Sequence, residues 1–313
     1  MISIFDPAIC SYNIGNEIIL DAVMEVVDEL FPKEHIIHIP STDISKNARN
    51  YCSCSKFSFI GGTNILSNKV GRGGQFDLNL HNLLILKNII LMGCGWFQYQ
   101  SQYPSSYARW AWNRILSHNF YHSVRDSYTQ KKLNQIGIKS INTGCPTLWK
   151  LTPNIIEKIA IHPKKKVVIT ITDYNKDYQR DMALLQLCES CYPEGIVFFP
   201  QGTGDIDYIN TLGYANKVHI LPPRLKVFNK VLNSGEVDYV GTRLHAGIRA
   251  LQRSVRAFIV GVDNRALEIK KDIGLPVLLS NESELWSAQI KNEYKLKLAI
   301  PFDKIARWKN QFV

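Results

Sequence analysis

Short apolar, β-branched runs alternate with amphipathic helical stretches along nearly the whole chain. Runs at 2–5, 36–39, 57–60, 89–92, 120–124 and 140–142 read as strands. After a break, a second set follows at 166–172, 196–199, 217–221, 238–241 and 257–262. Most are continuous rather than alternating, the pattern of strands covered by helices on both faces. Helical patterns separate them at 17–30, 105–117, 126–135, 178–191, 223–233, 244–252 and 266–273. This alternation predicts an α/β protein with two Rossmann-like, doubly wound parallel sheets facing across a cleft. The expected divisions are a first domain at 1–151, a linker at 152–166 and a second domain at 167–281. Pro153, Pro163 and Lys164-Lys165-Lys166 interrupt the pattern in the linker, where a solvated lysine run needs no partner. The tail, 282–313, has helical patterns at 283–292 and 303–311 and is expected to fold back across the linker.

Composition adds a bias toward anionic partners. Thirty-seven Lys and Arg against 27 Asp and Glu give a net charge of +10. Phosphorylated metabolites and a membrane-attached anionic substrate fit this charge equally well. Nucleic acid is not expected, because no binding motif occurs and the aromatic residues do not interleave with basic ones as a stacking platform. The first residues lack the basic stretch of a signal peptide, and the apolar run at 83–97 is broken by Lys87 and Asn88 and too short to span a bilayer. A cytoplasmic protein is expected, at most peripheral to the inner face of the plasma membrane. Seven cysteines do not suggest a disulfide framework, and Cys52-Ser53-Cys54 has no second pair at zinc-site distance, so no metal is expected. Cys188 and Cys191 have redox-motif spacing, but at the end of a helical pattern rather than the start an activated thiolate prefers.

The loops after strands carry the candidate chemistry, since ligands collect at the carboxyl ends of such sheets. Thr242-Arg243-Leu244-His245-Ala246 follows a strand and opens a helix. It offers a guanidinium fork, an imidazole and a helix N-terminus, the parts that hold a phosphate or carboxylate and move a proton beside it. Equally, Arg243 and His245 could cap or bridge structure. Phe199-Pro200-Gln201-Gly202-Thr203-Gly204-Asp205 and Gly261-Val262-Asp263-Asn264-Arg265 follow other strands of the second half. In the first half, Asn13-Ile14-Gly15-Asn16-Glu17 opens a helix, Ile60-Gly61-Gly62-Thr63-Asn64 closes a strand, and Ser123-Val124-Arg125-Asp126 ends another. Gly71-Arg72-Gly73-Gly74 follows no clear strand, lacks the phosphate-loop spacings, and reads as a flexible loop.

In order along the chain, these blocks resemble the polysaccharide pyruvyl transferase family. The matching set also includes Leu133-x-x-Ile136-Gly137-Ile138, Thr143-Gly144-Cys145-Pro146, Ala250, Ile259, Asp263 and Ile273-Gly274-Leu275-Pro276. The resemblance implies a GT-B-like fold and transfer of a pyruvyl group from phosphoenolpyruvate to two sugar hydroxyls, giving a cyclic ketal and phosphate. It implies a glycan or lipid-linked oligosaccharide acceptor and no cofactor beyond the donor substrate. Under it, Arg125, Arg243, Leu244, His245, Arg265 and Gln201 bind phosphoenolpyruvate. The donor's phosphate and carboxylate call for cations, and His245, with Arg243, is assigned the catalytic work as general acid and base. Asn13, Gly15, Asn16, Gly61, Gly62 and Asn64 fall on the acceptor side.

The chain departs from the family pattern at four positions. Asn16 stands where an acid is usual, Cys145 replaces the Asp of Gly-Asp-Pro, Arg265 replaces a lysine, and Arg256 stands where proline is common. Arg for Lys keeps charge but not geometry. Two alternatives stay open: a GT-B-type glycosyltransferase using a nucleotide sugar, and a non-catalytic, anion-binding member of the fold.

Overall fold

The structure is a computed structural model that describes residues 1–71, 75–100 and 103–313. Arg72, Gly73 and Gly74 of the glycine-rich stretch lie outside the described residues. The chain divides into two units: Met1–Ser11, Ile19–Trp149 and Ile300–Val313 form one, and Tyr12–Ile18 with Lys150–Ala299 the other.

The first unit is built on β1 (Ile2–Asp6), β2 (Ile36–Pro40), β3 (Phe57–Gly61) and β4 (Ile89–Met92), all parallel, in the order β2-β1-β3-β4. A parallel pair, β5 (His122–Val124) and β6 (Ser140–Asn142), continues it, with a bridge from Cys94 to Val124. The order reverses between β1 and β3, as in flavodoxin-like sheets. Successive residues of a strand face opposite sides, so continuous apolar runs feed two cores. Ile2, Ile4 and Phe59 pack with Val23 and Val27, while Phe5, Ile60 and Leu91 pack with Trp112.

The last helix, Phe302–Lys309, completes the first of those cores. Trp308 meets Trp149 at 5.7 Å and Phe59 at 6.3 Å between ring centroids, and its Nε1 donates to the Tyr121 carbonyl at 2.8 Å. The helix Ser283–Lys291 instead sits in the second unit, where Trp286 and Ile290 join its core. The two helices of the tail thus divide between the units.

The second unit contains β7 (Lys166–Thr170), β8 (Ile196–Phe198), β9 (His219–Ile220), β10 (Val237–Gly241), β11 (Ala257–Gly261) and β12 (Val277–Leu279). They are parallel, in the order β12-β11-β10-β7-β8-β9. That is the dinucleotide-fold order, with its switch point between β7 and β10. The strands pair closely there: a Cβ on Gly241 would lie 2.6 Å from the Thr170 carbonyl oxygen. β12 and the helix Pro153–Glu157 were not legible in the pattern. The strand has only three residues, and the helix begins at a proline, which suits a helix start but also reads as a break.

His122 makes the first unit acid-sensitive. Its buried ring donates from Nε2 to the Ser117 carbonyl at 2.8 Å and accepts the Leu91 N–H at Nδ1 at 3.1 Å. Burial pushes its pKa down to about 4. The unfolded chain binds this proton at about pH 6.5, so the neutral ring's contribution is complete above that pH and is lost as pH falls toward 4, about 3 kcal/mol in all. Urea midpoints taken across that window should fall for the wild type and fall less for His122→Gln. An equal fall in both would contradict this assignment.

Candidate functional site

At the switch point of the second unit, Arg243 ends the loop after β10 and precedes the helix Leu244–Gln252. Its side chain is 3% exposed, and Nη2 donates to Asp173, after β7, at 2.8 Å and to Asp205, after β8. Asp205 also accepts the N–H groups of Gln201 at 2.9 Å, Gly202 at 2.8 Å and Asp173 at 3.1 Å. Burial pushes the Asp205 carboxyl up, while the Arg243 guanidinium and the Gly202 N–H pull it back. The backbone is fixed as firmly: Tyr239 Oη donates to the Arg243 carbonyl at 2.9 Å, and the Arg243 N–H donates to Thr170 Oγ1 at 3.3 Å. Arg243 therefore bridges structure, tying three loops together at the carboxyl edge.

A second guanidinium lies nearby. Arg265, in the helix Asn264–Ile273 after β11, donates from Nε to Asp263 at 2.9 Å and from Nη2 to Tyr174 Oη. The Tyr174 ring lies 5.2 Å from the Arg243 guanidinium carbon and 5.5 Å from that of Arg265, so one aromatic ring serves two cations. Leu244 and His245 are the first residues of the helix, both buried. Asp173 and Tyr174 were missed from sequence, although their place directly after a strand at the topological switch is a readable signal.

Asn13, Gly15 and Asn16 cluster with the second unit rather than with the first half in which they occur in sequence. Asn13 Oδ1 accepts the Gly15 N–H at 2.9 Å and Gln201 Nε2 at 2.8 Å, and the Gln201 carbonyl accepts the Ile14 N–H at 2.9 Å. A Cβ on Gly15 would lie 2.5 Å from Gln201 Nε2, so a side chain there would push the Gln201 amide off Asn13. The Asn16 N–H closes the turn on the Asn13 carbonyl at 3.0 Å.

The remaining candidates belong to the first unit. Gly61 and Gly62 are pressed against a helix: a Cβ would meet Val23 at 2.3 Å or Ile19 at 2.4 Å, respectively. The Asn64 N–H donates to Gln75 at 3.3 Å. Arg125 is fully buried against the Gly95 backbone, with Nε donating to Asp126 at 3.2 Å. Cys145 is buried, and burial pushes its thiol up. Buried polar atoms without a hydrogen-bond partner are uncommon in proteins. Asn64 Oδ1, both Nη atoms of Arg125, Gln201 Oε1 and Arg243 Nε are such atoms.

Arg256 has a structural explanation. It lies just before β11, at the amino edge, where Nη1 donates to Asp238 at 2.8 Å. Its Nη2 donates to the carbonyls of Ile290 at 2.7 Å and Asn292 at 2.8 Å. It fastens the end of the helix Ser283–Lys291 to the sheet, at the edge opposite the loops of Arg243 and Arg265.

Parallel Rossmann-like units with polar loops at a carboxyl-edge switch point define an α/β protein of the GT-B-like class. The family profile described as polysaccharide pyruvyl transferase matches residues 13–264. The chain belongs to the polysaccharide pyruvyl transferase family. No curated protein sequence matches it. Among solved structures, UDP-GlcNAc 2-epimerase of Methanocaldococcus jannaschii, in complex with UDP-GlcNAc and UDP, matches with a TM-score of 0.56 at 13% identity, over 99% of this chain and 98% of that one. The Neisseria meningitidis UDP-GlcNAc 2-epimerase bound to UDP-GlcNAc matches with a TM-score of 0.47 at 12% identity, over 99% and 92%. The E. coli heptosyltransferase WaaC with ADP-2-deoxy-2-fluoro heptose matches with 0.40 at 10% identity, over 92% and 96%. The first of these likenesses is one of fold.

Removing Arg243 should leave Asp205 buried without its cation. Arg243→Met is expected to lose about 3–5 kcal/mol of stability in denaturant titration. Arg243→Lys should recover only part of it, since one ammonium cannot reproduce the guanidinium's geometry. A Met variant as stable as the wild type would contradict the bridging role.

Proposed function

We propose that this chain transfers a pyruvyl group from phosphoenolpyruvate to two hydroxyls of a sugar in a surface polysaccharide precursor, forming a cyclic ketal and releasing phosphate. Family membership supports the reading. The observation that carries it is the position of residues 242–246 at the switch point, where α/β sheets bind ligands. Arg265 and the start of the helix Leu244–Gln252 offer positive charge to the donor's phosphate and carboxylate. Arg243, oriented by its two carboxylates, keeps a buried Nε–H without an acceptor. Leu244 and Gln201 complete the proposed donor contacts of this unit.

The chemistry requires one proton at the vinyl carbon and the loss of one from each hydroxyl. Protonation at C3 makes C2 electrophilic; the first hydroxyl adds and loses its proton. Phosphate leaves with the C2–O bond, the second hydroxyl closes the ring, and its proton leaves with the phosphate. His245 is assigned the proton transfers, as a group that titrates near neutral pH in its ordinary state. Asn13, Gly15 and Asn16 are proposed acceptor contacts. In the first unit, Asn64, with the backbone at Gly61 and Gly62, is proposed for the acceptor, and the unpartnered Nη atoms of Arg125 suit an anion.

A nucleotide-sugar transferase is the second reading, supported by the fold shared with an enzyme solved with UDP-GlcNAc and UDP. Thermal stabilisation separates the two, because a ligand that binds the native state raises its apparent stability. Phosphoenolpyruvate is expected to raise the Tm by several degrees and UDP to leave it unchanged. His245→Ala should retain that rise but lose phosphate release by about 100-fold or more. Stabilisation by UDP alone would favour the second reading, and phosphoenolpyruvate binding without turnover would favour a non-catalytic anion binder.

A further inference from the structure

The first unit has a surface that the proposed chemistry leaves unused. From Leu78 to Arg125 the sequence contains no Asp or Glu. Within this segment the helices Leu80–Ile85 and Ser106–Ile115 touch, and Arg114 Nη2 donates to the Leu84 carbonyl at 2.5 Å, so their outward faces adjoin. Leu80 is 67% exposed and Leu84 52%. Tyr107 and Trp110, 48% and 44% exposed, stack at 5.8 Å between ring centroids. The second helix already fills the core with Ala108, Ala111, Trp112 and Ile115. Its outer face still carries two large aromatic rings beside Arg109 and Arg114, which a solvated helix has no need of.

Charge accompanies this apolar face. Lys87, Arg109 and Arg114 are exposed on the same two helices or the residues directly after them, and the segment supplies no carboxylate to neutralise them. Exposed indole and phenol rings, leucines and cations without acids are the chemistry of a bilayer interface. The rings sit at headgroup depth, the leucines reach the acyl boundary, and the cations meet lipid phosphates. No helix among the described residues is long and apolar enough to cross a membrane, so contact would be through side chains.

We propose that this face docks the protein on an anionic lipid bilayer. The inference is independent of the donor and goes beyond the proposed transfer reaction. The full chain should co-sediment with phosphatidylglycerol-containing vesicles and far less with pure phosphatidylcholine vesicles, and added salt should release it. Tyr107→Ser/Trp110→Ser should weaken vesicle binding about tenfold or more. Lys87→Gln/Arg109→Gln should weaken it about fivefold for each charge removed. Both variants should keep the wild-type Tm and its response to phosphoenolpyruvate, so that failure at the membrane is distinct from failure of the donor site. Wild type that ignores anionic vesicles, or variants that bind them as wild type does, would overturn the proposal. So would a self-association, or a binding to single-stranded oligonucleotide, that the Tyr107/Trp110 variant loses in place of vesicle binding.

Discussion

The second unit depends on one buried cation held between two carboxylates. Arg243 is shared by Asp173 and Asp205, and each comes from the loop after a different strand. Taking these charges out of water costs several kcal/mol per ion, and only close, multiply bonded geometry repays it. The repayment is visible at Asp205, where backbone N–H groups share the carboxylate with the guanidinium. The arrangement resists substitution because loss of either sign leaves the other stranded. It also sets the helix Leu244–Gln252, because the arginine that anchors the loops is the residue before that helix begins.

The same constraint explains why Gln201 and Asn13 share an environment. Asp205 fixes the Gln201 backbone, the Gln201 side chain reaches Asn13, and Gly15 leaves room for the pair. A segment near the start of the chain thus becomes part of the second unit's polar edge. The departures from the family pattern divide accordingly. Arg256 acts at the opposite edge as a fastener, whereas Arg265 lies beside Tyr174 and Arg243 at the proposed donor site. Cys145 is buried in the first unit, on the loop after β6.

Parallel pairing was legible because buried parallel strands leave unbroken apolar runs, and the runs at 2–5 and 238–241 fall inside observed strands. The three-residue β12 leaves too few residues for a period to show, whereas the two-residue β9 lies within the run at 217–221. Within the site, Arg243, Arg265 and Gln201 were recognisable because each follows a strand. Asp173 and Tyr174 follow a strand as well, but an acid and a tyrosine in a loop read as ordinary solvated residues until topology places them at the switch. The grouping of Asn13 with Gln201 is a tertiary contact between distant parts of the chain, and no local pattern encodes it.

Ketal formation from phosphoenolpyruvate is tested most directly by following its C2 atom. Phosphoenolpyruvate labelled isotopically at C2 and incubated with the protein and a panel of lipid-linked or free glycans should yield a labelled quaternary ketal carbon on a sugar, seen by NMR, with phosphate released in equal amount. Label that stays in phosphoenolpyruvate or appears only as free pyruvate, across an acceptor panel that includes the cell's own polysaccharide precursors, would contradict pyruvyl transfer as the function.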